Sequence, residues 1–382
     1  MDFETLCIHA GTSKPDTTGA VSMPIFQSAT FAHPSVGEST GFDYSRQQNP
    51  TRQQLEKVIT ALECGCDTIA YSSGMAAVTS FMDMFKEGDH LIVSDDLYGG
   101  THRLFYNLCT TRGISFTQVD TSNADNIKSA LTPRTCAVYI ETPTNPMMHV
   151  TDITAVVRRL KDRDILVAVD NTFLTPYFQK PLELGADLVI HSGTKYLCGH
   201  NDVVAGFTVV KDSRIAERLR FLYKTTGACL SPFDSWLMLR SLKTLPVRLE
   251  RQQNTASKLA VFLKSVPEIK AVHYPGLAEH SDFEVSAKQA SGFGAMLSFE
   301  TASRELAERI LNRVKLIQYA ESLGGAESLI TYPMLQTHGD IPEQERLAKG
   351  ITDRLLRLSV GLESAVDLIA DLKQAIEGRD DL

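Results

Sequence analysis

The sequence predicts an α/β fold: a mostly parallel central sheet followed by a smaller C-terminal α/β domain. Three observations predict it. From about residue 51 to 240, short β-branched runs alternate with amphipathic helical stretches, the pattern of a sheet covered on both faces. From about 241 the texture changes to one long helical stretch and then mixed strands and helices. A chain of 382 residues is also too long for one ordinary core, so two domains are expected.

Residues 1–50 form the first segment. They are rich in turn formers (GTSKPDTTGA, HPSVGEST) and carry little helical periodicity. Ile25, Phe26, Phe31 and Phe42 are too apolar for a solvated tail, so the segment reads as an extended arm that packs onto something else. Residues 51–240 form the second. TRQQLEKVITALE reads as a helix, DTIAYS as a strand, GMAAVTSFMDMFK as a helix, HLIVSD as a strand and THRLFYNLCTTRG as a helix. ISFTQVD and CAVYIET are strands, VTDITAVVRRLKDR is a helix, and ILVAVDN, DLVIHS and AGFTVV are strands. Residues 241–382 form the third. SLKTLPVRLERQQNTASKLAVFLKSV is a long helix with Pro246 near the join, followed by AVHYPG, GFGAMLSFE, the helix RELAERILNRV and the strand LLRLSV.

Composition narrows the function. Apolar residues make up 43% and charged residues 22%, with a net charge of −8 and no basic tract. That balance argues against nucleic acid or an anionic membrane as the main partner. The acidic start MDFETLCIHAG does not resemble a secretory signal, and no stretch approaches a membrane span. Seven scattered cysteines fit reduced thiols in a cytoplasmic protein. The lone C-x-C in ECGC has no second pair, and the histidines lack metal-ligand spacing, so no metal is expected.

Sheets of this kind carry ligands beyond the C-terminal ends of their strands. DTIAYS ends in SSGMAAV, where Ser73 and Gly74 open a helix. The free N–H groups there fit either a phosphate or a tight strand–helix turn. HLIVSD is followed by DLYGGTHR, which puts Tyr98 on a Gly-rich bend, as a stacking ring or as an ordinary loop residue. CAVYIE leads to TPTNP, where Asn145 suits a turn with or without a ligand. Asp170 ends the apolar run ILVAVD, either paired with a cation or capping the next segment. Lys195 follows DLVIHS within SGTK. A Walker-type motif is missing, which removes the phosphate-loop reading. Small hydroxylated neighbours, Ser192 and Thr194 around Gly193, leave room for an adduct, and shelter from water makes a lysine nucleophilic. Taken in order along an alternating α/β chain, these parts compose a site for pyridoxal 5′-phosphate (PLP).

The motifs CIHAGTS, FDYSRQQNPTR, YSSGMAA, DDLYGGT, ETPTNP, VDNTF, HSGTKY, GHNDVVAG, AESLGG and RLSVGLE run nearly end to end. On them the chain resembles the PLP enzymes of cysteine and methionine metabolism: cystathionine γ-synthase, the cystathionine γ- and β-lyases, methionine γ-lyase and the O-acylhomoserine sulfhydrylases. The resemblance implies a fold type I, aminotransferase-like PLP enzyme, usually a tetramer of intimate dimers with shared active sites. By resemblance Lys195 is the Schiff-base lysine, Asp170 pairs with the pyridinium nitrogen and Tyr98 stacks on the ring. Gly74, Met75, Ser192 and Thr194 would hold the phosphate, and Tyr44 and Arg46 would reach it from the neighbouring subunit. Arg357 would clamp the substrate α-carboxylate, although from the residues alone it reads as a solvent-facing strand position. Asn145 and Ser322 complete the site, with Arg103 and Glu321 as distal substrate contacts.

Two positions depart from the family: Gly193, where alanine is more frequent, and Cys198, where a small residue is common. Gly100 stands where methionine γ-lyases usually carry cysteine. Glu321 before Ser322 resembles the γ-synthases and γ-lyases rather than the β-lyase branch that carries tyrosine there, and ITYPMLQTHGDIP resembles bacterial γ-synthases and O-acetylhomoserine-type enzymes. The expected reaction is therefore γ-replacement of an O-acylhomoserine by cysteine or another thiol. Cleavage of cystathionine or a related thioether by the same groups is the competing expectation. A nucleotide- or anion-binding module without PLP chemistry is a third reading, supported only by the α/β pattern and glycine turns.

Overall fold

The computed structural model describes residues 1–11 and 18–378. Seven strands build the first sheet: β1 (Asp67–Tyr71), β2 (His90–Ser94), β3 (Ser115–Val119), β4 (Thr135–Glu141), β5 (Leu166–Asp170), β6 (Leu188–Ser192) and β7 (Gly206–Val210). Their order is β1-β7-β6-β5-β4-β2-β3. The neighbours from β6 through β3 run parallel, while β7 is antiparallel to both β1 and β6. Strands β2 and β7 are buried at every position, as unbroken apolar runs covered on both faces should be.

Five further strands form the second sheet: β8 (Ile269–His273), β9 (Met296–Thr301), β10 (Gln318–Tyr319), β11 (Leu329–Thr331) and β12 (Leu355–Ser359), in the order β10-β11-β12-β9-β8. The helix Leu245–Ser265 connects the two sheets, with Pro246 in its first turn, where a missing N–H costs nothing. One apolar core runs without a break from Leu55 and Phe207 through Leu245 and Leu259 to Phe299 and Leu358. The packing therefore continues across the change of texture at 240/241.

The arm differs from its expected extended form. Phe3–His9 is a helix, α1, which packs on α2 (Pro50–Glu63). Phe3, Leu6 and Cys7 make its apolar stripe at i, i+3 and i+4, and Phe3 meets the Tyr177 ring at 5.3 Å. Two turns are too short to stand out from the turn formers that follow. Helix α2 is capped by Asn49, whose side chain accepts from Thr51 N and Arg52 N. The helix expected over GMAAVTSFMDMFK, α3, ends at Met82. The one expected over THRLFYNLCTTRG divides into α4 (Gly99–Arg103) and a π-helical stretch, Leu104–Cys109. Wide turns of that kind often lie beside functional sites.

Candidate active site

The C-terminal ends of β1, β2, β4, β5 and β6 converge on a cavity of about 310 Å³, closed on the far side by residues before β11 and on β12. Its size suits a small-molecule site. Eleven residues expected from the sequence line it: Gly74, Met75, Tyr98, Asn145, Asp170, Ser192, Thr194, Lys195, Glu321, Ser322 and Arg357.

Helix α3 supplies one wall. Ser73 Oγ caps it by accepting from Ala76 N at 3.0 Å. The N–H groups of Gly74 and Met75, first in the helix, have no acceptor within it. A side chain at 74 would meet Ser192 Cβ at 2.8 Å, and one at Gly206 would meet Ser73 O at 2.0 Å. Glycine at both places lets the helix start close against β6 and β7. The Ser192 and Thr194 side chains line the same wall.

Lys195 lies in the turn after β6, and its Nζ donates to Ser322 Oγ at 2.8 Å. Burial and the nearby Arg357 cation lower its amine from the usual 10.5 to about 8, against a smaller opposing pull from Glu321. Asp170 Oδ1 accepts from Thr172 N at 3.0 Å, and Oδ2 accepts the Tyr139 hydroxyl at 3.2 Å. Burial raises the Asp170 carboxyl, while those two donors draw it back down. The capping alternative holds locally, since Asp170 Oδ1 accepts the Thr172 N–H two residues on, although the next helix, Thr175–Phe178, takes Leu174 at its N-cap position. Tyr98 N donates to Glu141 Oε2 at 3.0 Å. The Tyr98 ring packs over Gly100, where an added Cβ would meet ring atom Cε1 at 2.6 Å.

Arg357 is 2% exposed. Its Nη1 donates to Asn145 Oδ1 at 2.9 Å, and its Nη2 donates to Ser322 O at 3.0 Å and Thr331 Oγ1 at 3.1 Å. Its Nε has no partner, and among the described residues no carboxylate lies within ion-pair distance. A guanidinium buried with neutral acceptors only, on a cavity wall, is built to receive an anion.

Three expected residues lie off this cavity. Arg103 points away and pairs with Asp340 at 2.5 Å, both well exposed. Tyr44 and Arg46 lie on the arm, with the Arg46 guanidinium 5.6 Å from the Tyr44 ring centroid and its Nη1 donating to Lys224 O. Sequence reasoning passed over Glu141, Thr172, Tyr139 and Thr337. Glu141 is the last residue of β4 and Thr172 lies two residues past the end of β5, so the strand-end rule itself could have found them. Tyr139 and Thr337 carried no such signal.

The residues fit PLP. The first two N–H groups of α3 and the Ser192 hydroxyl are phosphate donors on one wall, and the Thr194 hydroxyl, which here bonds the Ala205 main chain, would join them by turning. A buried carboxylate without a cation stands on the next strand, and a lysine with a lowered pKa stands across from it. Fold and site together define a fold type I PLP-dependent enzyme. More narrowly, the chain belongs to the Cys/Met metabolism PLP-dependent enzyme family, whose model matches residues 4–377. It is 50% identical over 373 residues to the Bacillus subtilis (strain 168) cystathionine gamma-synthase/O-acetylhomoserine (thiol)-lyase, covering 98% of this chain and 96% of that one. It is 48% identical over 377 residues to the cystathionine gamma-lyase of the same organism, covering 99% and 100%. The crystal structure of cystathionine gamma-lyase from Lactobacillus plantarum complexed with L-serine superposes with a TM-score of 0.97 at 44% identity, covering 99% of both chains. The protein is thus a PLP-dependent enzyme of the group that comprises cystathionine γ-synthases, γ-lyases and β-lyases.

Proposed function

We propose that the enzyme performs γ-replacement: an O-acylhomoserine loses its acyloxy group, and cysteine or another thiol takes its place. The observation that carries this reading is Glu321, an exposed carboxylate at the cavity wall beside Ser322. There it can accept the ammonium group of an incoming cysteine, while Arg357, bonded to the Ser322 carbonyl, holds the substrate α-carboxylate. Gly100 speaks against methionine γ-lyase activity, since the Tyr98 ring lies where a cysteine side chain would sit.

In this reading PLP, when bound, acts as an electron sink that stabilises negative charge at the substrate α-carbon. Asp170 opposes positive charge on the ring nitrogen, and Tyr98 covers the ring face. Gly74, Met75, Ser192 and Thr194 hold the phosphate. The Lys195 amine, basic yet partly neutral near pH 8, takes the α-proton and can return a proton to the substrate. Ser322 and Asn145 fix the positions of the Lys195 and Arg357 side chains. Tyr98 is a further group able to move a proton.

C–S lysis by the same residues is the second reading, favoured by the 48% identity to a cystathionine gamma-lyase. Incubation with cystathionine, and separately with acylhomoserines plus cysteine, tests both. The expected result is cystathionine from the second mixture, with little 2-oxobutyrate or pyruvate from the first. Rapid 2-oxobutyrate release would favour γ-lysis and pyruvate β-lysis.

We also infer a homotetramer of dimers in which Tyr44 and Arg46 complete the neighbour's phosphate site, since both lie away from their own chain's cavity. A cytoplasmic location suits seven cysteines that are all free. No helix among the described residues is long and apolar enough to cross a membrane.

A further inference from the structure

Glu141 ends β4 and stands directly beside Asp170, the end of β5, in parallel register. Both carboxyls line the cavity. Their hydrogen-bond donors are unequal. Asp170 has Thr172 N–H and the Tyr139 hydroxyl, whereas the Glu141 side chain has the Tyr98 N–H alone. Asp96 adds to the negative surroundings of Glu141, Arg357 on β12 opposes it, and Tyr139 stays a neutral phenol.

Two carboxyls in one desolvated site do not both ionise; a single proton between them relieves the repulsion. The charge stays on the partner with more hydrogen-bond donors, Asp170, so the proton goes to Glu141. Burial, and then the Asp170 charge, push the Glu141 carboxyl well above the usual carboxylate range.

We propose that Glu141 is a positioning residue that works as a neutral acid, tethering the Tyr98 main chain while leaving the negative charge on Asp170. The tether matters because Tyr98 begins the Gly99–Gly100 bend, which has few side chains of its own to hold it. The inference is the same for every reaction of the group, since it concerns a proton and a main-chain contact.

The test uses the holoenzyme with E141Q and E141L. Infrared difference spectra at neutral pH, wild type against E141Q, are expected to show a carboxylic-acid carbonyl band that the variant lacks. Loss of carboxylate bands alone would overturn the proposal. Gln is neutral and keeps an acceptor for Tyr98 N–H, so the pH at which the visible band titrates should not move in E141Q; a clear shift would mean a charge was removed. In kcat/KM, E141L should fall at least about tenfold further than E141Q, because Leu leaves the Tyr98 N–H unpaired. Equal losses would remove the tether. Should E141L fail to fold, the infrared and titration results with E141Q decide by themselves.

Discussion

Lys195 Nζ donates to Ser322 Oγ at 2.8 Å, and the Ser322 carbonyl in turn accepts from Arg357 Nη2 at 3.0 Å. Ser322 holds φ at 91°, a conformation few non-glycine residues adopt. One residue therefore locates both the basic amine and the guanidinium. S322A keeps the backbone bond to Arg357 and loses only the hydroxyl. We expect kcat/KM to fall about tenfold while stability changes by no more than about 1 kcal/mol. Steady-state rates set beside thermal melts check this. A melting shift that tracks the activity loss would assign Ser322 to the fold instead.

The Lys195 amine should titrate near 8 in the apoenzyme, well below its ordinary 10.5. Amine-labelling rates at Lys195, read by peptide mass spectrometry from pH 6 to 10, should rise through about pH 8. R357Q removes the second cause of the lowering, so its profile should move to higher pH. The sign for stability follows. The folded value lies below the unfolded one, so charging Lys195 costs the folded state. Apoenzyme stability should therefore decline as pH drops from 10.5 towards 8 and change no further from this group below that. Labelling that rises only near the ordinary lysine range would contradict the buried-amine geometry.

Asp170 carries the opposite test. Its carboxyl is raised by burial, so ionisation weakens the folded apoenzyme as pH climbs above the ordinary carboxylate range. D170N removes that cost and retains an acceptor for Thr172 N–H. The apo variant should melt no lower than wild type at neutral pH. With PLP, it should lose at least about 100-fold in kcat and release the cofactor more readily on dialysis. A D170N holoenzyme close to wild type in rate and retention would dismiss Asp170 as the counter-charge.

The same residues show what could be read before the structure. The strand ends were legible because β1, β2, β4, β5 and β6 are short apolar runs with a chemical residue just beyond each. Arg357 was not. Alternation along LLRLSV separates its two faces but cannot say that both are covered, and in the fold β12 is buried at every position. Its role was reached only through resemblance. Glu141 closes CAVYIE as Asp170 closes ILVAVD, so the same rule covers both. What the sequence hides is that the two carboxyls stand side by side, which follows only from the pairing of β4 with β5. Helix α1 was hidden by its length. Arg103 illustrates the reverse: the sequence gives no hint that Asp340, more than two hundred residues later, draws it outward.

The arm offers a test of assembly. If Tyr44 and Arg46 serve the neighbouring subunit, R46A and K195A damage the same site from different chains. Co-refolding the two inactive proteins at equal amounts should restore roughly a quarter of wild-type activity, since half the dimers are mixed and each holds one intact site. Sedimentation of the mixture verifies the oligomer. No recovery in a fully assembled mixture would place Tyr44 and Arg46 outside the partner's site.

Gly193 stands between the Ser192 and Thr194 hydroxyls, and the packing around it says what a side chain there would cost. A Cβ at 193 would lie 2.5 Å from Phe207 Cε2 and 3.1 Å from Ala205 Cβ. Phe207 is fully buried on β7, opposite His191 in the ladder, so its ring has little room to retreat. Backbone freedom is not the reason for the glycine, since Gly193 is not among the positive-φ residues. G193A should therefore destabilise by about 1–3 kcal/mol through overpacking. It should also reduce activity, because the strain falls two residues before Lys195. F207L shrinks the opposing ring and leaves space for the methyl group. In a double-mutant cycle by urea unfolding, G193A should cost less on the F207L background than alone, with a coupling of at least about 0.5 kcal/mol. Additive costs would show that the tight contact with Phe207 is not what holds position 193 to glycine.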